Sequence, residues 1–478
     1  MKKVNLLLAA VVAASVAAPA AYAYTPNAYF GGYMRAGVGF DKNGDYNGGD
    51  GIAQAVGRLG AESKLFGEVV LGTDIAKIDD TVFTVNSLVA YSTDDTTAWS
   101  NASIGLRQFN VEVKGLFESD KDALLWMGKR YVQREDIHAI DKYYYNISGS
   151  GFGIENVSLG SGKWSFAYTQ PAIDGKKSTT HLFDTRYSFP LWDGATFQIG
   201  ETYNHRKNKV NGFESEDYDK ASADAIKRLQ EVGANKEDHS LILGDYLYDA
   251  TDLSQDPTKL KKEKKFTSFP QKNGNVLTLE FNQGFSGGWN KTVYQWFAGA
   301  NAKSLDVVAW DSYVGGSAHK IYNFGETSLG GKLHLFHVAS FAYQNLSSTN
   351  PLLDEHGYSD SKIKTFQVVL RPWYQLTKMT KLIADFGVYG SYKEVKHSGA
   401  NTHNRLQKAT FAYAICPDAS SYWSRPELRF FVTWLHGDNT MGKAGINAVT
   451  TSGKNGDGSK GTAGSTDITV GAQVEAWW

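Results

Sequence analysis

Along much of the chain apolar residues return at every second position, the spacing of a strand rather than a helix. In the final segment, ITVGAQVEAWW, Ile468, Val470, Ala472, Val474, Ala476 and Trp478 share one face, while Thr469, Gly471, Gln473, Glu475 and Trp477 share the other. Successive side chains of a strand point to opposite sides, so this segment predicts a strand that can meet lipid on its first face only. Near the start, Phe30, Met34, Val38 and Phe40 oppose Tyr33 and Arg35. Further on, Leu59, Leu65, Val69 and Leu71 oppose Arg58, Glu62, Lys64, Phe66 and Glu68. Charges of both signs, with an occasional ring, therefore point to one side, as they do toward the lumen of a transmembrane barrel. In NVSLGSGKWSFAYT a turn at Gly160 to Gly162 leaves Trp164, Phe166 and Tyr168 on a shared face and predicts a hairpin.

The alternation fails in three places. Residues 1–23 hold Lys2 and Lys3, an apolar run and a small-x-small end at Ala21 to Ala23, which predicts a Sec signal peptide and a mature start at Tyr24. From about 205 to 270 the chain is polar and charged and ends in KLKKEKK. This stretch predicts a long external loop holding one short helix, with Ser222 as N-cap, Gly233 as stop and Ala225, Ile226, Leu229 and Val232 as its apolar stripe. The stretch DNTMGKAGINAVTTSGKNGDGSKGTAGSTD predicts a loop before the last strand. No second domain and no short-period repeat is visible, so residues 24–478 read as one barrel domain.

Composition agrees with the alternation. Forty-nine glycines, 26 tyrosines, 25 phenylalanines and 12 tryptophans against 10 prolines favour strands and tight turns. No apolar run after residue 23 approaches the roughly 18 residues that a spanning helix needs. Without Lys2 and Lys3 the 49 basic residues fall to 47 against 50 acidic ones, a balance that points to neither nucleic acid nor an anionic membrane surface. The single cysteine, Cys416, excludes an internal disulfide and fits no metal pattern. At roughly 25 residues per strand and loop, the mature chain predicts a closed antiparallel all-β barrel of 16 to 18 strands.

The segments GKRYVQREDIHAIDKYYYNISGSGFGIENV, SYWSRPELRFFVTW and GAQVEAWW resemble the maltoporins, a family of sugar-specific porins of the Gram-negative outer membrane. Weaker similarity covers GGYMRAGVGF, GRLGAESKLFGEVVLG and LRPWYQLTKMTKLIADFG. The resemblance implies a homotrimer of 18-stranded barrels with one loop folded into the lumen, surrounded by outer-membrane lipid and passing oligosaccharides passively. It places an aromatic slide at Tyr33, Phe66, Phe366 and Trp477, with Trp99 on a loop reaching a neighbouring subunit's pore. It assigns Tyr143 to the constriction opposite the slide, and Arg35, Arg58, Glu68, Arg107, Arg134, Asp136, His138 and Asp141 to sugar hydroxyls.

The chemistry suits such a cargo. Pyranose rings offer flat C–H faces that aromatic surfaces can cover, and hydroxyls stripped of water need replacement partners. Charged side chains supply those as strong donors and acceptors. Two departures from the family pattern, Leu277 in place of a phenylalanine and Phe366 in place of a tryptophan, open a second expectation: a porin for sucrose or a β-linked oligosaccharide. A barrel serving as receptor or adhesin through its 205–270 loop is the reading from a different class, and the external loops are candidate attachment points for phage or other surface ligands.

Asp136, His138 and Asp141 on an irregular segment make a poor metal site, and no metal or cofactor is expected. The SGSGFG run beside His138, Asp141 and Ser148 lacks the strand-to-helix context of a nucleophile elbow, so no enzyme is expected either.

Overall fold

A computed structural model of the chain describes residues 27–41, 50–62, 65–93, 102–171, 180–206, 240–243, 246–249, 262–265, 273–309, 314–348, 361–395, 401–437 and 465–478. The signal peptide, Trp99, the helix expected over 222–233 and the loop before the last strand lie outside the described residues.

The wall begins with β1 (Ala28–Phe40), β2 (Leu65–Ile78), β3 (Thr81–Thr93), β4 (Ser103–Lys114) and β5 (Leu124–Arg130). A short hairpin of β6 (Glu135–Ile137) and β7 (Lys142–Tyr145) leaves it before β8 (Gly149–Leu159), β9 (Gly162–Gln170), β10 (Thr180–Trp192) and β11 (Ala195–Arg206). Inside the long insertion, β12 (Ser240–Leu243), β13 (Tyr246–Asp249) and β14 (Lys262–Lys265) form a separate three-stranded sheet. The wall resumes with β15 (Gly274–Phe285), β16 (Gly288–Gly299), β17 (Val314–Gly330), β18 (Leu333–Ser348) and β19 (Ser361–Gln375). It ends with β20 (Thr380–Val395), β21 (Asn401–Ile415), β22 (Glu427–Gly437) and β23 (Ser465–Trp477). Eighteen of these strands form one sheet, and β23 pairs back onto β1 with Tyr33 opposite Trp477 and Phe40 opposite Val470. Closure leaves no sheet edge, which lipid could not satisfy.

The alternation read from sequence sets the two faces. Phe30 and Val38 are each 61% exposed outside, whereas Glu475, inside, is 1% exposed. One end carries two-residue turns, among them Asp193 and Gly194, together with the C-terminus. In outer-membrane barrels the short turns face the periplasm and the long loops the exterior.

More than one segment folds inward. From the external end, helix α1 (Asp50–Val56) with residues 57–62, the 131–148 segment with its 3-10 helix His138–Ile140, and helix α2 (Asn301–Ser304) with residues 305–309 all enter the lumen. From the periplasmic end the β21–β22 turn also bends inward and buries Tyr422. Arg58 and Glu62 accordingly belong to an inward loop, not to β2 as their parity suggested.

Backbone groups moved away from water need partners, and polar side chains of the wall supply them. Gln367 Nε2 donates to the Ala55 carbonyl at 2.6 Å, and Lys408 Nζ donates to that of Leu59 at 2.7 Å. Gln295 Nε2 donates to Tyr144 O at 2.9 Å, and Asn204 Nδ2 to Val307 O at 2.9 Å. Gly57, at φ +98°, ends α1 in the left-handed region that favours glycine, and a β-carbon there would strike the Asp385 carboxylate.

Candidate functional site: a charged and aromatic lumen

Phe66, Arg107, Arg134, Asp141 and Tyr143 line one cavity of about 370 Å³ near the external end, joined by Tyr131 and Lys142. The packing there is ordered by charge against ring. The Arg134 guanidinium lies between two tyrosines, 4.0 Å from the centre of Tyr131 and 4.3 Å from that of Tyr143. Tyr131 Oη donates to Glu68 at 2.7 Å, and Arg134 stands 3.8 Å from the same carboxylate. Arg35 reaches Asp141 at 2.7 Å and Glu62 at 2.9 Å, and its guanidinium lies 5.5 Å from the Phe66 ring centre. Such a wall presents donors, acceptors and flat apolar faces together.

Arg58 and His138 do something else. Both are buried, and both converge on Glu475, Arg58 at 2.9 Å and His138 Nε2 at 3.2 Å. Arg425 and Arg429 approach the same carboxylate at 2.6 and 3.0 Å, and Tyr33 Oη donates to it at 2.9 Å. His138 Nδ1 pairs with Tyr422 Oη at 3.0 Å. This clamp joins two external segments to the periplasmic turn and the wall. Arg58 and His138, expected to touch sugar, are thereby placed as supports beneath the surface that a solute would meet.

The comparisons with known proteins agree with this architecture. A family model described as LamB porin matches residues 28–478. The chain belongs to the LamB porin family. It is 30% identical to Maltoporin 1 of Klebsiella pneumoniae subsp. pneumoniae over 495 residues, 98% of each chain. To Maltoporin 2 of Yersinia pestis (strain Pestoides F) it is 31% identical over 474 residues, 94% of this chain and 93% of the relative. Among solved structures, OmpT of Vibrio cholerae superposes with a TM-score of 0.40 at 13% identity, covering 96% of this chain and 99% of that one. Members of the family are channels and not enzymes, and this LamB porin is an outer-membrane sugar channel.

Within this porin two more of the carried-over positions need correction. Phe366 lies on the lipid side: it is 47% exposed, shares its face with Val368 and Leu370, and covers Gly390 from outside, whereas Gln367 points inward to α1. It cannot stack on a solute in the lumen. Leu277 also faces outward, opposite Trp296, while its neighbours Val276 and Thr278 are buried inside. The gap expected in an aromatic track at Leu277 therefore does not arise.

Tyr33, Phe66 and Trp477 do line the inner face, with the rings of Tyr33 and Phe66 5.9 Å apart. An aromatic missed from sequence, Trp423, continues the path 6.5 Å from Trp477 and 6.4 Å from Phe336. Trp289 follows 6.0 Å from Phe336, and Glu326 stands beside both Trp423 and Trp289. Tyr131 was missed as well, though its place one residue beyond β5 in a motif of alternating rings and charges was the available signal.

Charge in the loops is tuned by burial. Burial pushes the Asp136 carboxyl up to about 6 against the pull of Arg58, and pushes His138 down to about 4 against Glu475. Burial also raises the Asp141 carboxyl, yet Arg58 and Arg35 prevail and hold it below the ordinary range. The Tyr143 hydroxyl is pushed by burial up to about 12. At neutral pH the segment thus carries ionised Asp136 and Asp141 with a neutral His138.

Because Asp136 binds its proton more tightly folded than unfolded, its contribution favours the fold below about pH 4 and is lost as pH rises through about 6. Between pH 7 and pH 5 the lumen should lose this negative charge, so cation preference measured as reversal potential in a salt gradient should fall. Asp136→Asn should flatten that part of the profile; a profile unchanged by the substitution would assign the titration elsewhere.

Proposed function

We propose that this porin carries maltose and maltodextrins by facilitated diffusion, with sugar rings sliding over Phe66, Tyr33, Trp477 and Trp423 while flanking charges exchange hydrogen bonds with their hydroxyls. The observation that carries the reading is the external cavity, where Phe66 and two tyrosine rings stand beside Arg107, Arg134 and Asp141. A neutral polyol asks for both kinds of surface at once, and a pore that held it tightly at one place would not conduct. Tyr143 narrows the lumen from the loop side, and the working unit is a homotrimer. The relatives' names point to the same cargo.

Single channels in planar bilayers test it. Maltotriose should interrupt the ion current reversibly and saturably, and α-linked glucans should half-block at lower concentration than β-linked glucans of equal length. If no sugar of either linkage altered the current, the sugar-slide reading would fall; if the β-linked series blocked better, the cargo would be a β-glucan.

A further inference from the structure

The outer face of the barrel changes character along β19. Phe366, Val368, Leu370 and Tyr374 alternate outward and are exposed, so they meet the hydrocarbon of the membrane. The eight residue steps from Phe366 to Tyr374 cover about 26 Å of strand. At a tilt of roughly 40° that is about 20 Å of height, most of the apolar band of about 25 Å that such barrels present. The next two outward positions toward the external end are Lys364 and Lys362.

Strand pairing brings further groups to the same level. Tyr343 of β18 and Tyr392 of β20 flank Lys364, and His403 of β21 lies beyond Tyr392, their rings 4.9 Å apart. One row nearer the apolar band, Gly390 separates Phe366 from Arg405. A β-carbon at Gly390 would strike the Phe366 ring, so that ring lies across the glycine.

Lys364, His403 and Arg405 are exposed and Lys362 is partly so. Among the described residues the charged ends of Lys362, Lys364 and Arg405 make no hydrogen bond or ion pair. One carboxylate of β18 to β21 shares this outward level among the described residues, Glu394, in register with Lys362. Three permanent cations therefore stand against one anion at the upper edge of the hydrocarbon.

Long basic side chains at that depth lay their stems on apolar surface and carry their charge into the head-group layer. There they attract anionic lipid, and Lys and Arg together suit phosphate oxygens. The groups between the cations narrow the choice of lipid. Tyr343 and Tyr392 offer ring faces, which cover the C–H face of a pyranose, and Glu394 accepts from hydroxyls. A plain phosphodiester head group would leave these unused.

We propose that this patch on β18 to β21 docks a membrane lipid whose head group is a phosphorylated sugar. Its acyl chains lie along Phe366, Val368 and Leu370, its phosphate meets Lys362, Lys364 and Arg405, and its sugar ring rests on the tyrosines. The site is separate from the lumen and does not depend on what the pore carries.

Its test uses the full-length porin in detergent, followed by native mass spectrometry, which reports bound lipid and copy number together. The probes are diphosphoryl lipid A, an acylated diglucosamine, together with phosphatidylglycerol and inorganic phosphate. They are applied to the parent, to Lys362→Gln/Lys364→Gln/Arg405→Gln, and to Lys332→Gln/Lys378→Gln, which removes two cations from periplasmic turns. The half-saturating concentration of lipid A should rise at least tenfold in the triple variant, since each basic side chain near an anionic lipid surface contributes about fivefold. In the periplasmic variant it should move by less than twofold. Equal lipid A binding by the parent and the triple variant would overturn the site. Phosphatidylglycerol bound by the parent as tightly as lipid A would overturn the sugar assignment, and displacement of lipid A by millimolar inorganic phosphate would overturn the lipid assignment. A changed copy number in the triple variant would make the patch a contact between protomers instead. Lys362→Arg/Lys364→Arg/Arg405→Lys, which keeps the charges, should bind lipid A within about threefold of the parent; loss of binding there too would overturn the electrostatic basis.

Discussion

Replacing Glu475 with Gln should destabilise this porin by about 3 to 5 kcal/mol and widen its pore, because one carboxylate holds four cationic or titratable partners out of water. Arg58, Arg425 and Arg429 lie within 3.0 Å of it and His138 at 3.2 Å, all buried or nearly so. An amide of the same shape keeps the packing and removes the charge, so three guanidiniums lose their main counter-ion. Arg429 retains Glu427 and Arg58 retains Glu62, at 3.0 Å, whereas Arg425 keeps, among the described residues, the backbone carbonyls of Tyr422 and Ser424 at 2.9 Å as its acceptors. The α1 segment, the 131–148 segment and the periplasmic turn are tied through this point, and loosening it should free all three together. Thermal unfolding in detergent should shift downward, and single-channel conductance should rise with more flicker. Unchanged melting and conductance would mean that the wall contacts of Gln367, Lys408 and Gln295 are sufficient to hold the loops.

How much of this was legible in the sequence varied with the physics involved. The wall was readable at β1 and β23 because a closed barrel forces every second side chain into lipid, and no tertiary detail alters that parity. The same rule, applied to β19, sets Phe366 beside Val368 and Leu370 and against Gln367 and Arg371. Its outward placement was therefore written in the chain, and positional similarity to relatives overrode it. Arg58 and His138 are a different case. Their burial depends on a carboxylate 417 and 337 residues away meeting two loops and a turn, and no local pattern reports that. Trp423 sits on an irregular turn where neither period applies, and Tyr131 lies just beyond its strand's end. The cavity lined by Lys142, Lys303, Lys320 and Lys393 draws on four separated elements, and only the fold assembles it.

The corrected aromatic path makes the sharpest functional prediction. Trp423→Ala combined with Trp477→Ala should raise the half-blocking concentration of maltotriose, whereas Phe366→Ala, which removes a ring from the lipid face, should leave it unchanged. Each ring contributes about 0.5 to 1.5 kcal/mol beyond area burial, so the pair should cost about 1 to 3 kcal/mol, or roughly 5- to 150-fold in affinity. Two contacts complicate a simple deletion: Trp477 lies 4.3 Å below the Arg425 guanidinium, and Trp423 stands beside Glu326. Trp477→Phe and Trp423→Phe separate the effects, since each keeps a stacking face and loses the indole N–H. If the phenylalanine variants bind like the parent and the alanine pair binds weakly, stacking carries the path. If Phe366→Ala weakens block as much as the alanine pair does, the outward face assigned to Phe366 is wrong. Should the alanine pair block normally, sugar must bypass the periplasmic tryptophans, and the external cavity of Phe66, Tyr131 and Tyr143 would be the sole stacking surface.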